Sequence, residues 1–162
     1  MRTVGWADRS DRLPTWSLRN KTIGLLGFGL IPRQVVAKLQ GFNPAFLVYD
    51  PDVDPASLAE AGVEGCGLDE LLERSDIVSV HTPLTAATRH MIGARELGLM
   101  KPDAILVNTA RGPVIEEDAL VKALTEGQIL GAGLDVFEEE PTTVDNPLLQ
   151  LENLVATPHT AG

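Results

Sequence analysis

A glycine turn followed by an acidic residue carries the clearest chemistry in the sequence. Gly27 and Gly29 stand between an apolar run and a segment of helical periodicity, and Asp50 closes the next apolar run. Two glycines allow a sharp turn that brings backbone amides and the positive end of a helix against a pyrophosphate. Asp50 lies 21 residues after Gly29, close to the spacing of about 20 for the acid that accepts ribose hydroxyls. The unit predicts a dinucleotide site, and a carboxylate that repels a 2′-phosphate favours NAD over NADP.

The fingerprint departs from its usual form at its third glycine position, where Pro32 gives G-x-G-x-x-P. Proline is tolerated in the first turn of a helix because its missing N–H has no intrahelical partner there. It is bulkier than glycine against the strand and disfavours helical angles at Ile31. We expect a shifted helix start that leaves the amides of Leu30 and Ile31 free to face phosphate. From this unit alone, a glycine-rich turn that binds nothing remains the alternative.

Composition and charge narrow the class of protein. The chain has 162 residues with 44% hydrophobic residues, which fits a folded domain with a sizeable core. Its net charge of -10 disfavours nucleic acid and anionic membranes as partners, and no secretory signal or membrane span is evident. The single Cys66 excludes an internal disulfide and disfavours a cysteine metal site. We therefore predict a cytoplasmic protein with no metal site.

Strand-like and helix-like segments alternate along most of the chain, which predicts an α/β fold: a doubly wound parallel sheet with helices on both faces. Residues 1–21, with Trp6 and Trp16, form a lead-in of no clear periodicity, and residues 22–162 form the dinucleotide-binding domain. The predicted strands are 22–26, 46–49, 63–66, 77–80, 104–108, 129–134 and 154–156. The predicted helices are 32–39, 55–61, 68–73, 96–100 and 116–126.

The polar residues of chemical interest follow the predicted strands. Ligands of open parallel sheets bind beyond the carboxyl ends of the strands, so these residues are expected at one edge. They are Gly27, Gly29, Asp50, Thr82, Thr109, Ala110, Arg111, Asp135 and His159.

Several long segments resemble the D-isomer-specific 2-hydroxyacid dehydrogenase family. They are GLLGFGLIPRQVV with VYD at 48–50, HTPLTAAT at 81–88, MKPDAILVNTARGPVIEEDAL at 100–120, LTEGQILGAGLDVFEEEP at 124–141 and NPLLQLENLVATPHTAG at 146–162. The resemblance implies a Rossmann-type NAD-binding domain that serves hydride transfer between NAD(H) and a small 2-hydroxy or 2-oxo acid. 3-Phosphoglycerate, glycerate, glyoxylate, hydroxypyruvate and lactate are candidate substrates. It also implies a homodimer.

The resemblance also implies a catalytic triad. Arg111 matches the arginine that grips the substrate carboxylate and carbonyl, for which a guanidinium fork is suited. His159 matches the catalytic histidine, and Glu140 matches its carboxylate partner. A carboxylate beside an imidazole stabilises the charged form of the ring, so the pair could exchange a proton with the substrate oxygen. Without the resemblance, Glu138, Glu139 and Glu140 would be read as a solvated turn, and Arg111 could pair with Glu116 or Glu117.

Cofactor contacts are implied in the same way. Asp135 is expected to hold the nicotinamide carboxamide, whereas His81 and His90 are expected to be structural. The implied cofactor-binding residues are Gly27, Gly29, Leu30, Ile31, Asp50, Thr82, Pro83, Thr109, Ala110, Arg111, Asp135, His159 and Gly162.

Family members carry a second, substrate-closing domain that this chain does not resemble in any part. We therefore expect a cofactor domain, excised or truncated, that binds NAD but barely turns over. Two other functions fit the same motifs. One is an NADH-sensing binding module like the corepressors that share the fold, and the other is a relative that acts on formate or phosphite.

Overall fold

The computed structural model describes residues 17–161. Within that range seven strands form one sheet, flanked by five α-helices. The strands are β1 (Thr22–Leu26), β2 (Ala45–Tyr49), β3 (Glu64–Gly65), β4 (Ile77–Val80), β5 (Ile105–Asn108), β6 (Gly131–Leu134) and β7 (Leu154–Ala156). The helices are α1 (Leu30–Leu39), α2 (Pro55–Glu60), α3 (Leu68–Arg74), α4 (Ala94–Leu99) and α5 (Glu117–Thr125). Trp6, Trp16 and Gly162 lie outside the described residues, as does most of the predicted lead-in.

The sheet is parallel throughout, in the order β3-β2-β1-β4-β5-β6-β7. The chain first builds outward from β1 to β3 and then returns to add β4 on the other side of β1. This reversal between β1 and β4 opens a crevice at the carboxyl ends of the strands. The predicted doubly wound sheet is therefore confirmed, and its switch point lies beside the glycine turn.

Helices cover both faces of the sheet. On one face Ile23 and Leu25 of β1 pack with Val36 of α1 and Leu58 of α2. On the other face the larger cluster joins Leu26 of β1 to residues of α3, α4 and α5. Strand side chains alternate between faces, so both faces of β1 are buried. This explains why its sequence is a continuous apolar run.

Helix α1 begins two residues earlier than predicted, at Leu30, with Gly29 at its N-cap. Pro32 therefore occupies the third helical position, where a backbone N–H would have no intrahelical hydrogen-bond partner. Its ring is buried, whereas Ile31 is 66% exposed. The expectation of a displaced helix start was therefore wrong. Near the start of α1 the inward position is taken by Pro32 and not by Ile31.

Other differences from the predicted elements are small. Strand β3 is only two residues long, β6 begins at Gly131, and α4 begins at Ala94 because the Glu96 carboxylate accepts the amide of Gly93 at 3.1 Å. Helix α5 ends before Gly127, whose φ of 68° suits glycine after a helix. Three short 3-10 turns were not predicted, at Gln40–Phe42, Gly112–Val114 and Pro147–Gln150. Across residues 17–161, every helix is too short or too polar to cross a membrane.

Candidate active site

The glycine turn after β1 is held against its neighbours by close backbone contacts. Gly27 has φ of 92°, and its amide donates to the carbonyl of Tyr49 at 2.9 Å. A Cβ at this position would lie 3.1 Å from the backbone of His81 and 3.2 Å from Thr82. Both the backbone angle and the crowding require glycine here. The turn therefore brings β1 into contact with the loop after β4.

Asp50 lies beside this turn, as predicted. Its Oδ2 accepts the amide of Phe28 at 2.7 Å, and its Oδ1 accepts the amide of Asp52 at 3.0 Å. These two hydrogen bonds from backbone amides fix the orientation of the carboxylate, and each of its oxygens can still accept another hydrogen bond. The acid is therefore oriented at the mouth of the crevice and can still accept ligand hydroxyls.

These groups line one cleft of about 390 Å³, which is bordered by Gly27, Gly29, Asp50, Thr82 and Pro83. The Oγ1 atom of Thr82 is buried there without a hydrogen-bond partner. A buried hydroxyl that lacks a partner is costly unless a ligand supplies one. With the free amides at the start of α1, the donor set fits a dinucleotide.

His81 adjoins this cleft and is held in a neutral form. Its Nε2 lies 3.0 Å from Ser79 Oγ. Burial lowers the pKa of His81 from 6.5 to about 4, because a charged ring would lose its hydration. Its expected structural role is consistent with this setting.

A second cavity, of about 490 Å³, is lined by Asp135, Phe137, Glu140 and His159, together with Pro141, Thr142 and Pro158. In it His159 Nδ1 lies 2.7 Å from Glu140 Oε2, and the amide of Phe137 donates to Glu140 Oε1 at 2.9 Å. These two hydrogen bonds, of which the one from His159 has the larger effect, hold the pKa of Glu140 below its usual range. With Nδ1 donating to the carboxylate, Nε2 on the opposite side of the ring is the atom available as a base.

Asp135 anchors the loop that carries His159. Its carboxylate accepts the hydroxyl of Thr157 and, at 2.9 Å each, the amides of Thr160 and Ala161. Its carbonyl accepts the amide of His159 at 2.9 Å. The Thr157 hydroxyl, followed by these amides, lowers the pKa of Asp135. The carboxylate thus has a positioning task that the sequence did not indicate, and its expected contact with a carboxamide remains a prediction.

Arg111 projects from a turn that is organised by a buried amide. Asn108, at the end of β5, accepts the amide of Ala110 at 3.0 Å and donates to the carbonyl of Arg111 at 3.0 Å. The guanidinium donates to the carbonyl of Ala110 at 2.6 Å. After the hydrogen bonds from His159 and Phe137, its charge also lowers the pKa of Glu140. The backbone of the next residue, Gly112, packs against that of Phe137, so Arg111 lies near the turn that carries Glu140.

Two clusters of predicted residues thus form along the carboxyl edge, one around the glycine turn and one around His159. Thr109, Ala110 and Arg111 follow β5 between them and line neither cavity. Asn108, Thr157 and a His90–Glu138 pair were not predicted as parts of the site. Asn108 and Thr157 each lie two or three residues before a predicted catalytic residue, Arg111 and His159, within the segments that resemble the family. That position was the only available signal. Among residues 17–161, no group of three or more His, Cys, Asp or Glu side chains could hold a metal ion.

Comparison with known proteins identifies relatives of this chain. The glyoxylate reductase of Korarchaeum cryptofilum is 50% identical over 147 residues, covering 91% of this chain and 44% of the relative. The D-3-phosphoglycerate dehydrogenase of Methanocaldococcus jannaschii is 49% identical over 144 residues, covering 88% of this chain and 27% of the relative. The chain thus spans less than half the length of these two relatives.

One solved structure is similar to the chain in both fold and sequence. The D-lactate dehydrogenase with NAD+ from Lactobacillus jensenii superposes with a TM-score of 0.82 and 35% identity, over 92% of this chain and 48% of that one. Residues 1–161 match the family described as "D-isomer specific 2-hydroxyacid dehydrogenase, NAD binding domain". The chain belongs to the D-isomer specific 2-hydroxyacid dehydrogenase family, of which it is an NAD-binding domain.

Proposed function

We propose that this chain is the cofactor-binding part of an oxidoreductase that interconverts a small 2-hydroxy acid and its 2-oxo acid. The observation that carries the proposal is the 2.7 Å contact between His159 and Glu140. It lies at the same sheet edge as the glycine turn and Asp50. A dinucleotide cleft and a general base at one edge are the two parts that such a reaction needs.

The residues around the glycine turn would hold the cofactor. The amides of Leu30 and Ile31 would face the pyrophosphate, Asp50 would accept the ribose hydroxyls, and Thr82 would use its unpaired hydroxyl. Pro83, Thr109 and Ala110 remain predicted contacts. When bound, NAD supplies the group that accepts or donates the hydride.

His159 and Glu140 would control the proton. Neutral His159 accepts the substrate hydroxyl proton at Nε2, and in the other direction the charged ring returns it to the carbonyl oxygen. Glu140 holds Nδ1 protonated, which fixes the tautomer and stabilises the charged ring. His159 thus acts as the general base in one direction and as the general acid in the other.

Arg111 would bind the substrate carboxylate and stabilise the negative charge that develops on the reacting oxygen. A planar guanidinium can donate to two oxygens together, which suits a 2-oxo acid. Its present bond to the carbonyl of Ala110 uses one side of the fork and leaves its remaining N–H groups for a substrate.

We further propose a homodimer, as the resemblance implies, and sedimentation velocity tests it. A cytoplasmic location is proposed separately, from the net charge of -10 and the single cysteine. Turnover by this chain alone should be close to background. The His159 side chain is 53% exposed, and the residue Leu30, at the glycine turn, is 86% exposed. Because Arg111 and His159 face water, which screens charge, both would act only weakly on a bound substrate.

Calorimetric titration of NAD and NADP tests the cofactor assignment. The wild type should bind NAD at least about tenfold more tightly than NADP, because Asp50 repels the 2′-phosphate. Asp50→Asn keeps an oxygen for the Phe28 amide but removes the charge, so it should narrow this preference. Asp103→Asn, which changes an exposed acid elsewhere, is the control.

Equal affinity for the two dinucleotides, or none for either, would contradict the proposal. A panel of 2-oxo acids, formate and phosphite, assayed with the full-length protein, then separates the dehydrogenase from its formate- or phosphite-oxidising relatives. Activity on none of them, combined with NADH-dependent capture of a protein partner, would favour the corepressor-like module.

A further inference from the structure

A second histidine–carboxylate pair adjoins the first. His90 Nε2 lies 2.7 Å from Glu138 Oε1, and Glu138 precedes Glu140 by two residues in the same turn. Both side chains are partly exposed, at 40% and 38%. Exposed polar contacts between side chains contribute little to folding free energy. The pair would therefore act by fixing the position of the turn that carries Glu138 and Glu140, and not by stabilising the fold.

His90 lies next to the cofactor cleft in the sequence. Thr88 and Met91, on either side of it, line that cleft. Its backbone amide donates to the carbonyl of Pro113 at 2.8 Å, and its φ of 52° turns the chain at this point. The backbone of His90 is thus hydrogen-bonded to the loop that follows Arg111, while its side chain contacts the turn that bears Glu140.

That turn is short and tightly connected. The amide of Glu138 donates to Glu117 at the start of α5. The amide of Phe137 donates to Glu140 Oε1 at 2.9 Å, and Glu140 Oε2 contacts His159. A displacement of Glu138 would move the Phe137 amide, which in turn orients Glu140. The titratable and charged side chains that face the turn from other elements are His90, Glu117, Arg111 and His159.

We propose that His90 is a positioning residue, which through Glu138 holds the turn that orients Glu140 toward His159. The contact joins the loop of the cofactor cleft to the histidine–glutamate pair. The catalytic use of the His159–Glu140 pair rests on the proposed function. The positioning of Glu140 by His90 does not, and the test measures that positioning alone.

The test is an NMR titration of the Glu140 carboxyl carbon in the 162-residue chain. In the wild type the pKa of Glu140 should lie below the usual glutamate range because His159 donates to it. His90→Ala and Glu138→Ala should each raise the pKa of Glu140 toward that range, and the double variant should raise it no further. His90→Gln should retain the wild-type titration, because its amide nitrogen can donate to Glu138.

Arg95→Ala is the matched control. It removes exposed contacts with Asp69 and Glu96, away from the turn, and should leave the Glu140 titration unchanged. An identical Glu140 titration in wild type, His90→Ala and Glu138→Ala would overturn the proposal. If His90→Ala fails to fold, Glu138→Ala decides, because its backbone amide can still donate to Glu117. The titration needs no cofactor, so a chain that does not bind NAD would count against the proposed function alone.

Discussion

The backbones of Gly112 and Phe137 are in direct contact. A Cβ atom on Gly112 would lie 1.8 Å from the carbonyl oxygen of Phe137 and 2.6 Å from the amide nitrogen of Glu138. Gly112 follows Arg111, and Phe137 begins the turn that carries Glu140. The missing side chain of Gly112 therefore allows the arginine loop to pack against the turn of the catalytic pair.

Substitution of Gly112 by alanine should disrupt this contact. The added methyl group would meet backbone atoms, which cannot move aside as a flexible side chain could. We expect a loss of about 1–3 kcal/mol in the free energy of unfolding, measured by chemical denaturation. Gly98→Ala is the control, because a Cβ at Gly98 in α4 meets nothing within 4 Å. It should stabilise the chain by about 0.5–1 kcal/mol. Equal effects of the two variants would contradict the contact.

The fold was largely predictable because local patterns carry it. Buried parallel strands such as β1 and β2 are apolar runs, and α5 has acids in its first turn and a glycine after its end. The end-of-strand rule then placed Asp50 and His159 at one edge. Periodicity could not show that Pro32 would point into the core in place of Ile31, since that depends on where the helix begins.

The support around the site was less predictable. The Thr160 amide donates to Asp135, and His90 contacts Glu138; both contacts join residues far apart in sequence. No local spacing marks such pairs, because the packing of separate loops creates them. The motifs therefore identified the groups expected to touch cofactor or substrate but not the groups that hold them.

Pro32→Gly should leave the affinity for NAD unchanged. Helix α1 begins at Leu30 despite the proline, so the amides of Leu30 and Ile31 are already available. Because glycine frees the unfolded chain, we expect a loss of about 1 kcal/mol in stability. Calorimetry and denaturation measure the two effects. NAD binding that appears only in the variant would show that the proline obstructs the turn.

His81 should make stability depend on pH. Its folded pKa of about 4 lies below the ordinary value of 6.5, so the unfolded chain binds its proton first as pH falls. The stabilisation is fully present above about pH 6.5 and is lost as pH falls toward 4, by up to about 3 kcal/mol. His81→Gln should remove this component from unfolding free energies measured between pH 7 and 4. His90→Gln, at an exposed site, should keep it, and an unchanged profile in His81→Gln would contradict the assignment.

Asp135 should control the order of the His159 loop. Asp135→Ala removes the acceptor of the Thr160 and Ala161 amides, so both amides should exchange with deuterium much faster by NMR. Thr157→Val removes only the hydroxyl donor and should leave most of their protection. The Thr157 hydroxyl and the amides lower the pKa of Asp135. The loop should therefore stay ordered above the ordinary aspartate pKa of about 3.9 and lose protection as pH falls through the lower folded value. Slow exchange that persists in Asp135→Ala would mean that other contacts hold His159 in place.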